Sequence, residues 1–358
     1  MNTPSTEPRR LDSSSDYFLS CDWGTSSFRL RLIDAQENQV LKETKKDIGV
    51  KSVFLQCDPS DREGRDKHFE SFLVAECDQL LDAAHIYSDS ITMMLSGMTT
   101  SSIGWIELPY ANVPFPLDGK KAVIQAREIR SNKGRRIRCL LISGIQTEME
   151  MMRGEETELM GVFAQEKYQG LLRECLAIVP GTHSKHVLIG DGEIVSIETF
   201  MTGELLEVLG RHSVLQATAD LKCVFDQKFK MVTETQSEAF KSGVLLARKS
   251  GLLGNLFQTR TRGVLKGASN KDNIWFLMGL LIGEEWCQLT ARRVSSLPVL
   301  IAAGSRFGEL YSKAAEVLGE GERVSRVMAE DMDLASTLGH RLLMSSRVDQ
   351  YKDQSSHG

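Results

Sequence analysis

The chain repeats itself at about half its length. Gly24-Thr25-Ser26-Ser27 follows one strand-like run, YFLSC at 17–21, and opens another, SFRLRLID at 27–34. An Asp34-centred turn then leads to a third run around Val40 to Thr44. Gly181-Thr182-His183-Ser184, 157 residues after the first turn, sits in the same frame within ECLAIVPGTHSKHVLIGDGEIVSIET at 174–199. There too the order is strand, Gly-Thr turn, strand, turn (Asp191-Gly192) and strand. At about 150 residues per domain, 358 residues allow two domains. The echo predicts that the two are related halves, each carrying one Gly-Thr turn.

Between these landmarks, strands alternate with helices, which is the pattern of an α/β protein. Residues 67–86 place Phe69, Phe72, Leu73, Leu80 and Leu81 at helical spacing. ITMMLSG at 91–97 and RIRCLLIS at 136–143 are apolar runs suited to buried parallel strands. Helices are predicted over Glu148–Gln165, Gly203–Leu215, Gln236–Leu256, Asn273–Arg292 and Phe307–Leu318, with a last strand at 298–304. The predicted organisation is a disordered tail at 1–16, a first domain at 17–170, a second at 171–347 and a polar tail at 348–358.

A small turn between strands suits anion binding. It presents consecutive backbone N–H groups, and Thr and Ser hydroxyls add donors. Two such turns brought together would grip a polyphosphate. Asp22, two residues before Gly24, stands where a carboxylate can hold Mg²⁺ through its water shell. The plainer alternative is a pair of ordinary β-hairpin turns. No GxxxxGK[ST] occurs, so a P-loop kinase is excluded, and no GxGxxG follows a strand to support a dinucleotide fold.

Charge and cysteine content narrow the class further. The net charge of −5 argues against bulk nucleic-acid binding, which needs a basic surface. Seven cysteines without a CxxC pair fit neither a zinc ribbon nor a disulfide framework and point to a reducing cytoplasm. The longest apolar stretch, Ile274 to Gly283, is half the roughly 20 residues of a membrane helix. His183 and His186, three apart on a strand, fall on opposite faces with no cysteine nearby, which argues against zinc. The basic run 120–138 is expected to be a solvated helix and turn, or a patch that steers anions.

Six segments in this order carry a resemblance: DWGTSSFRLRLID, LSGMTTSSIGWIELPY, MRGEETELMG, VPGTHSKHVLIGDGEI, FMTGELLEVLGRHSVL and FLMGLLIGEE. Together they resemble the 2-dehydro-3-deoxygalactonokinase family, from about Leu19 to about Leu318. DWGTS alone is shared with many sugar kinases, whereas GTHSK, MTGE and RGEET are specific. The resemblance implies the sugar kinase, actin and Hsp70 fold, two ribonuclease-H-like domains with a nucleotide cleft between them. It also implies ATP-dependent phosphorylation of the terminal hydroxyl of 2-dehydro-3-deoxygalactonate, with Mg²⁺, in galactonate breakdown.

By the same resemblance, Asp22, Gly24, Thr25 and Ser26 match a first phosphate segment, and Gly181, Thr182, His183, Ser184 and Lys185 a second. Gly304 falls where this fold brings a glycine near the adenosine. Arg153 suits a substrate carboxylate through a bidentate fork. Glu155 or Glu156 suits the base that accepts the hydroxyl proton. Otherwise RGEET is the charged first turn of a helix. Gly97, Met98, Thr99 and Trp105 belong to the expected substrate loop, where relatives read GMVGSRQGW and this chain has Thr100, Ser102 and Ile103 for Gly, Arg and Gln. Glu150 and His186 also depart from the family pattern, replacing an Asp and an aromatic residue. The expected partners are therefore ATP and a small sugar acid, with a homodimer allowed and neither nucleic acid nor membrane. Two alternatives stand beside this: a kinase of the same fold acting on another sugar acid or keto sugar, and a non-catalytic nucleotide- or sugar-binding regulator.

Overall fold

YFLSCDW and FRLRLID pair antiparallel as β1 (Tyr17–Trp23) and β2 (Phe28–Asp34), and β3 (Gln39–Lys46) extends the meander. The computed structural model describes residues 16–58, 60–225, 231, 233–290 and 296–355. The predicted N-terminal tail lies outside the described residues except for Asp16, as does Arg292 at the end of one predicted helix. Among the described residues, no helix is long and apolar enough to cross a membrane.

After the meander, α1 (Arg62–Ala83) starts at Asp61, whose side chain accepts from the Gly64 N–H, and buries Phe69, Leu73, Cys77, Leu80 and Leu81. Next come β4 (Ser90–Gly97), β5 (Ile124–Arg130), β6 (Arg136–Ile142) and α2 (Glu155–Phe163). The strand order is β3-β2-β1-β4-β6-β5, with β1 parallel to β4 and β4 parallel to β6. Trp23 anchors the core between sheet and α1, its ring 5.1 Å from Phe28, 5.4 Å from Phe69 and 4.9 Å from Phe72.

The second half repeats this plan with β7 (Glu174–Val179), β8 (Ser184–Gly190) and β9 (Glu193–Phe200). Helices α3 (Thr202–His212), α4 (Glu234–Ser250), α5 (Gln258–Lys266) and α6 (Asn270–Thr290) follow. The chain closes with β10 (Val299–Ile301), α7 (Ser305–Leu318), β11 (Val324–Arg326) and α8 (Ala329–Ser355). Here the order is β9-β8-β7-β10-β11, with β7 antiparallel to β8 and parallel to β10, and β10 parallel to β11. Strand for strand, this matches β3-β2-β1-β4-β6. Both are the ribonuclease-H-like arrangement.

Two compact units result, one containing the residues up to Glu166 together with those from Leu334 onward, the other Lys167–Asp333. The sequence placed 334–347 in the second half and a polar tail beyond, but α8 continues to Ser355 and from Leu334 belongs with the first unit. Packing explains this. A Cβ on Gly161 of α2 would lie 1.7 Å from the Ala335 carbonyl oxygen, and one on Gly339 would lie 2.1 Å from that of Thr157. The two helices thus touch backbone to backbone. His340 is fully buried and bonds Ser20 Oγ of β1 through Nδ1 at 2.8 Å.

Two local expectations are corrected. The helix predicted from Glu148 begins at Glu155, because the Thr147 hydroxyl accepts from the N–H groups of Met149 and Glu150 and turns the chain. Met151–Met152 then pair with Ile145–Gln146 as a short ribbon. The basic run is β5 and the turn into β6, a hairpin rather than a helix and turn, with β6 on the strand predicted at 136–143. Its Arg127 pairs with Asp66 and Glu70, Lys133 with Asp82 and Arg135 with Asp78, all on one side of α1. Helices α5 and α8 were not anticipated.

The α2–α8 contact leaves no room for a methyl group. Gly339→Ala is expected to lower stability by about 1–3 kcal/mol, the usual cost of overpacking, read as a lower thermal midpoint by circular dichroism.

Candidate active site

In the first unit, the turn after β1 closes with a hydrogen bond from the Gly24 N–H to the Ser27 carbonyl at 2.9 Å. Its own carbonyls are occupied: Val50 N–H donates to Gly24 O at 3.0 Å and Lys51 N–H to Thr25 O at 3.3 Å. Both donors open the short helix Val50–Phe54 that follows Gly49. A Cβ on Gly49 would stand 2.1 Å from Thr25 O, so only glycine lets the helix start rest on the turn. Thr25, Ser26 and Ser27 are left exposed.

The turn after β7 is built the same way. Glu204 N–H, in the first turn of α3, donates to Thr182 O at 2.9 Å. A Cβ on Gly203 would lie 2.5 Å from Gly181 O and 2.8 Å from Thr182 Cα. Gly181, Thr182 and His183 are exposed, and His183 Nε2 meets Glu204 Oε2 at 2.7 Å. Ser184 and Lys185 face inward: Ser184 Oγ donates to Glu285 at 2.6 Å, and Lys185 Nζ donates to Thr199 Oγ1 at 2.9 Å. His186 is buried on Glu285 at 2.7 Å, well apart in role from His183. An apolar pocket beside this turn is lined by Pro180, Gly181, Leu206, Met278, Phe307 and Tyr311. Gly304 precedes α7 with open space around its α-carbon.

The first unit also gathers the RGEET segment around the end of β4. Gly97 has φ +86°, and a Cβ there would stand 2.6 Å from the Trp23 carbonyl oxygen. Gly154 comes close to it, with a Cβ site 3.2 Å from Gly97 Cα. Arg153 Nη1 donates to Thr100 Oγ1 at 2.5 Å, and its guanidinium lies 4.1 Å above the Tyr110 ring. Nη2 reaches Leu108 O at 3.4 Å, while the buried Nε has no hydrogen-bond partner among the described residues. Thr99 Oγ1 and Ser96 Oγ are also buried and unpartnered among the described residues. Met98 is half-buried at the start of the loop. Trp105, expected to face substrate, is fully buried in the core beneath Arg127, 5.1 Å from its ring.

Four carboxyl groups belong to this unit's site. Asp22 is pushed up by burial, against the pull of Arg29, a Ser336 hydroxyl at 3.5 Å and Arg31. Glu156 is raised to about 7 by burial and by Glu155, although it accepts from Thr157 Oγ1 and Gly154 N–H. Glu155 is half-buried and accepts from Arg153 N–H at 3.0 Å. Glu158 was missed from sequence; burial and the facing Asp22 push its pKa well above the ordinary range. Its spacing of three from Glu155 on one helix would have found it. Among the described residues, no group of three or more His, Cys, Asp or Glu side chains stands ready to hold a metal.

The family model for 2-keto-3-deoxy-galactonokinase matches residues 22–336, spanning both turns and RGEET. The chain belongs to this family. A Rhizobium meliloti protein named as a probable 2-dehydro-3-deoxygalactonokinase is 30% identical over 326 residues, covering 89% of this chain and 94% of that one. The 2-dehydro-3-deoxygalactonokinase of Escherichia coli is 28% identical over 230 residues, 63% of this chain and 71% of that one. A crystal structure from Sinorhizobium meliloti, assigned to the same enzyme, aligns with TM-score 0.70 at 28% identity, covering 91% of this chain and 98% of that chain. Membership makes the chain a carbohydrate kinase by family, with the actin-like two-domain fold.

Within this kinase, Glu156 sets a stability test. The unfolded carboxyl loses its proton near 4.5, whereas the folded one keeps it to about 7. The folded state therefore binds more protons across that window, and its stability falls as pH rises through it. Glu156→Gln removes this loss. Relative to wild type, the variant is expected to gain up to about 3 kcal/mol between pH 4.5 and 7 and to hold the gain above, measured by urea unfolding at several pH values.

Proposed function

We propose that this chain is an ATP-dependent kinase that phosphorylates the terminal hydroxyl of 2-dehydro-3-deoxygalactonate. The observation that carries this is the pair of Gly-Thr turns, one per unit, each braced by a helix start at a glycine and each presenting exposed hydroxyls. Gly24, Thr25 and Ser26, with Gly181, Thr182 and His183, would supply donors to the phosphates. Ser184 braces the end of the second turn on Glu285, and Lys185, on the other face of β8, bonds Thr199 of β9. The apolar pocket beside that turn, with Gly304 nearby in sequence to its Phe307, suits the adenosine.

Mg²⁺ takes hard oxygen ligands, and the half-buried Asp22 carboxyl two residues from Gly24 fits that chemistry. When bound, Mg²⁺ supplies charge neutralisation on the phosphates. Asp22→Asn is expected to lower kcat about a hundredfold, the scale of losing one preorganised electrostatic group, with the circular dichroism spectrum unchanged. Full turnover in that variant defeats the mechanism.

For the acceptor, Arg153 is fixed by Thr100 and Tyr110 and keeps a buried Nε without a partner among the described residues, which suits a sugar carboxylate. Of the two glutamates left open by the sequence, Glu155 has the more accessible carboxylate and is assigned as the group that orients the hydroxyl. Glu156 is occupied in bracing the turn at Gly154. The six described free cysteines agree with a cytoplasmic setting.

Thr100 takes up Arg153 Nη1, and this loop is the reason to test a second sugar acid within the same chemistry. A panel of aldonates and 2-keto-3-deoxy acids, with ADP release as readout, decides between them. The expected best acceptor is 2-dehydro-3-deoxygalactonate, and Arg153→Ala should raise its KM about tenfold or more, the loss of a charge-assisted contact. Better turnover of another acid assigns that one instead; no product with any acceptor overturns kinase activity.

A further inference from the structure

In the second unit, one buried carboxylate gathers donors from three separate segments. Glu285 lies on α6 between Glu284 and Trp286 and is 1% exposed. Its Oε1 accepts from Ser184 Oγ at 2.6 Å and meets His186 Nε2 at 2.7 Å. Its Oε2 accepts from Thr202 Oγ1 at 2.6 Å and from the Tyr311 hydroxyl at 2.7 Å. Burial alone would raise its pKa, but His186 and the Ser184 and Thr202 hydroxyls hold it below the ordinary carboxylate range. The donors therefore surround a charged group.

Two of those donors lead directly to the second phosphate turn. Ser184 ends the turn and begins β8. Thr202 begins α3, whose Gly203 lies against Gly181 and Thr182 and whose Glu204 N–H donates to Thr182 O at 2.9 Å. Glu285 thus holds the turn from below through Ser184 and holds its backing helix through Thr202. Tyr311 ties the same carboxylate to α7 and also lines the apolar pocket beside the turn.

We propose that Glu285 is a positioning residue that sets the second Gly-Thr turn in its nucleotide-binding geometry. This rests on the reading of that turn as a phosphate grip. A carboxylate with no role beyond core stability would, when altered, lower the melting temperature and leave nucleotide affinity alone. A positioning role moves affinity for the nucleotide while sparing the sugar acid.

The test uses the full chain and a non-hydrolysable ATP analogue, with Kd by calorimetry, KM for ATP and for the sugar acid, and thermal midpoint. Glu285→Gln is expected to weaken the analogue by about tenfold, the scale of one hydrogen bond to a charged group, with the sugar-acid KM unchanged. Thr202→Val and Ser184→Ala each remove one arm and should weaken it less, and Thr202→Ser should restore wild-type affinity. If Glu285→Gln does not fold, these single-arm variants decide. Wild-type affinity in folded Thr202→Val and Ser184→Ala overturns the inference. Thr182→Ala separates the two ideas: if it too binds as wild type, the phosphate reading of the turn fails along with the proposal; if it binds weakly while the others do not, only the role of Glu285 fails.

Discussion

Each half of this chain depends on a helix start pressed against a Gly-Thr turn with no side chain between them. Gly49 rests on Thr25 and Gly203 on Gly181 and Thr182, at separations a methyl group would not permit. The contact uses the helix's unsatisfied N–H groups, which must find acceptors, and it supplies turn carbonyls as those acceptors. With its carbonyls tied down, a turn of this kind is left with hydroxyls and donors to offer outward. A surface loop is thereby ordered in advance, and under the proposed function it would bind an anion at little further cost in ordering.

Below this common frame the two units differ in their polar chemistry. The first concentrates acid: Asp22, Glu156 and Glu158 are all raised by burial, and mutual repulsion adds to Glu156 and Glu158. Burial removes water that would stabilise their charged forms, and Arg29 offsets this only in part at Asp22 and Glu158. The second unit has an acid of the opposite kind. Glu285 is saturated with four donors and held below the usual range, so it has no capacity left for a ligand. The carboxyls of the first unit are thus held toward their protonated form, whereas that of the second is held as a charged, fully bonded group.

Much of this was legible in the sequence because the repeat is local. The strand–turn–strand frames lie within about thirty residues each, and their hydrophobic alternation survives intact. The family and its fold followed from motifs at the same turns. What escaped depends on distant partners. The part of the basic run ahead of the predicted strand at 136–143 read as a helix and turn because Lys and Arg tolerate helices, and in β5 only Ile129 is buried. Helix α8 joins the first unit through Gly161 and Gly339, a contact written in two glycines nearly 180 residues apart. Trp105 looked available for a sugar, yet it packs in the core because its neighbours in space, Arg127 and the α1 side chains, come from elsewhere in the chain.

The substrate loop shows how a departure from a family pattern can be absorbed. Thr100 is fully buried, and its hydroxyl donates to Ile142 O at 2.9 Å while accepting from Arg153 Nη1 at 2.5 Å. A glycine there could do neither. The hydroxyl fixes the guanidinium from one end, Tyr110 fixes its plane, and the Nε edge keeps a donor unspent. A fork held in this way meets a carboxylate along one edge, with its rotamer entropy already lost on folding. Under the proposed function, Arg153 is therefore the acid-binding group at this loop and offers its Nε edge. Which sugar acid fits would then depend on how its carboxylate meets that edge, while the Gly-Thr turns lie on other segments of the chain.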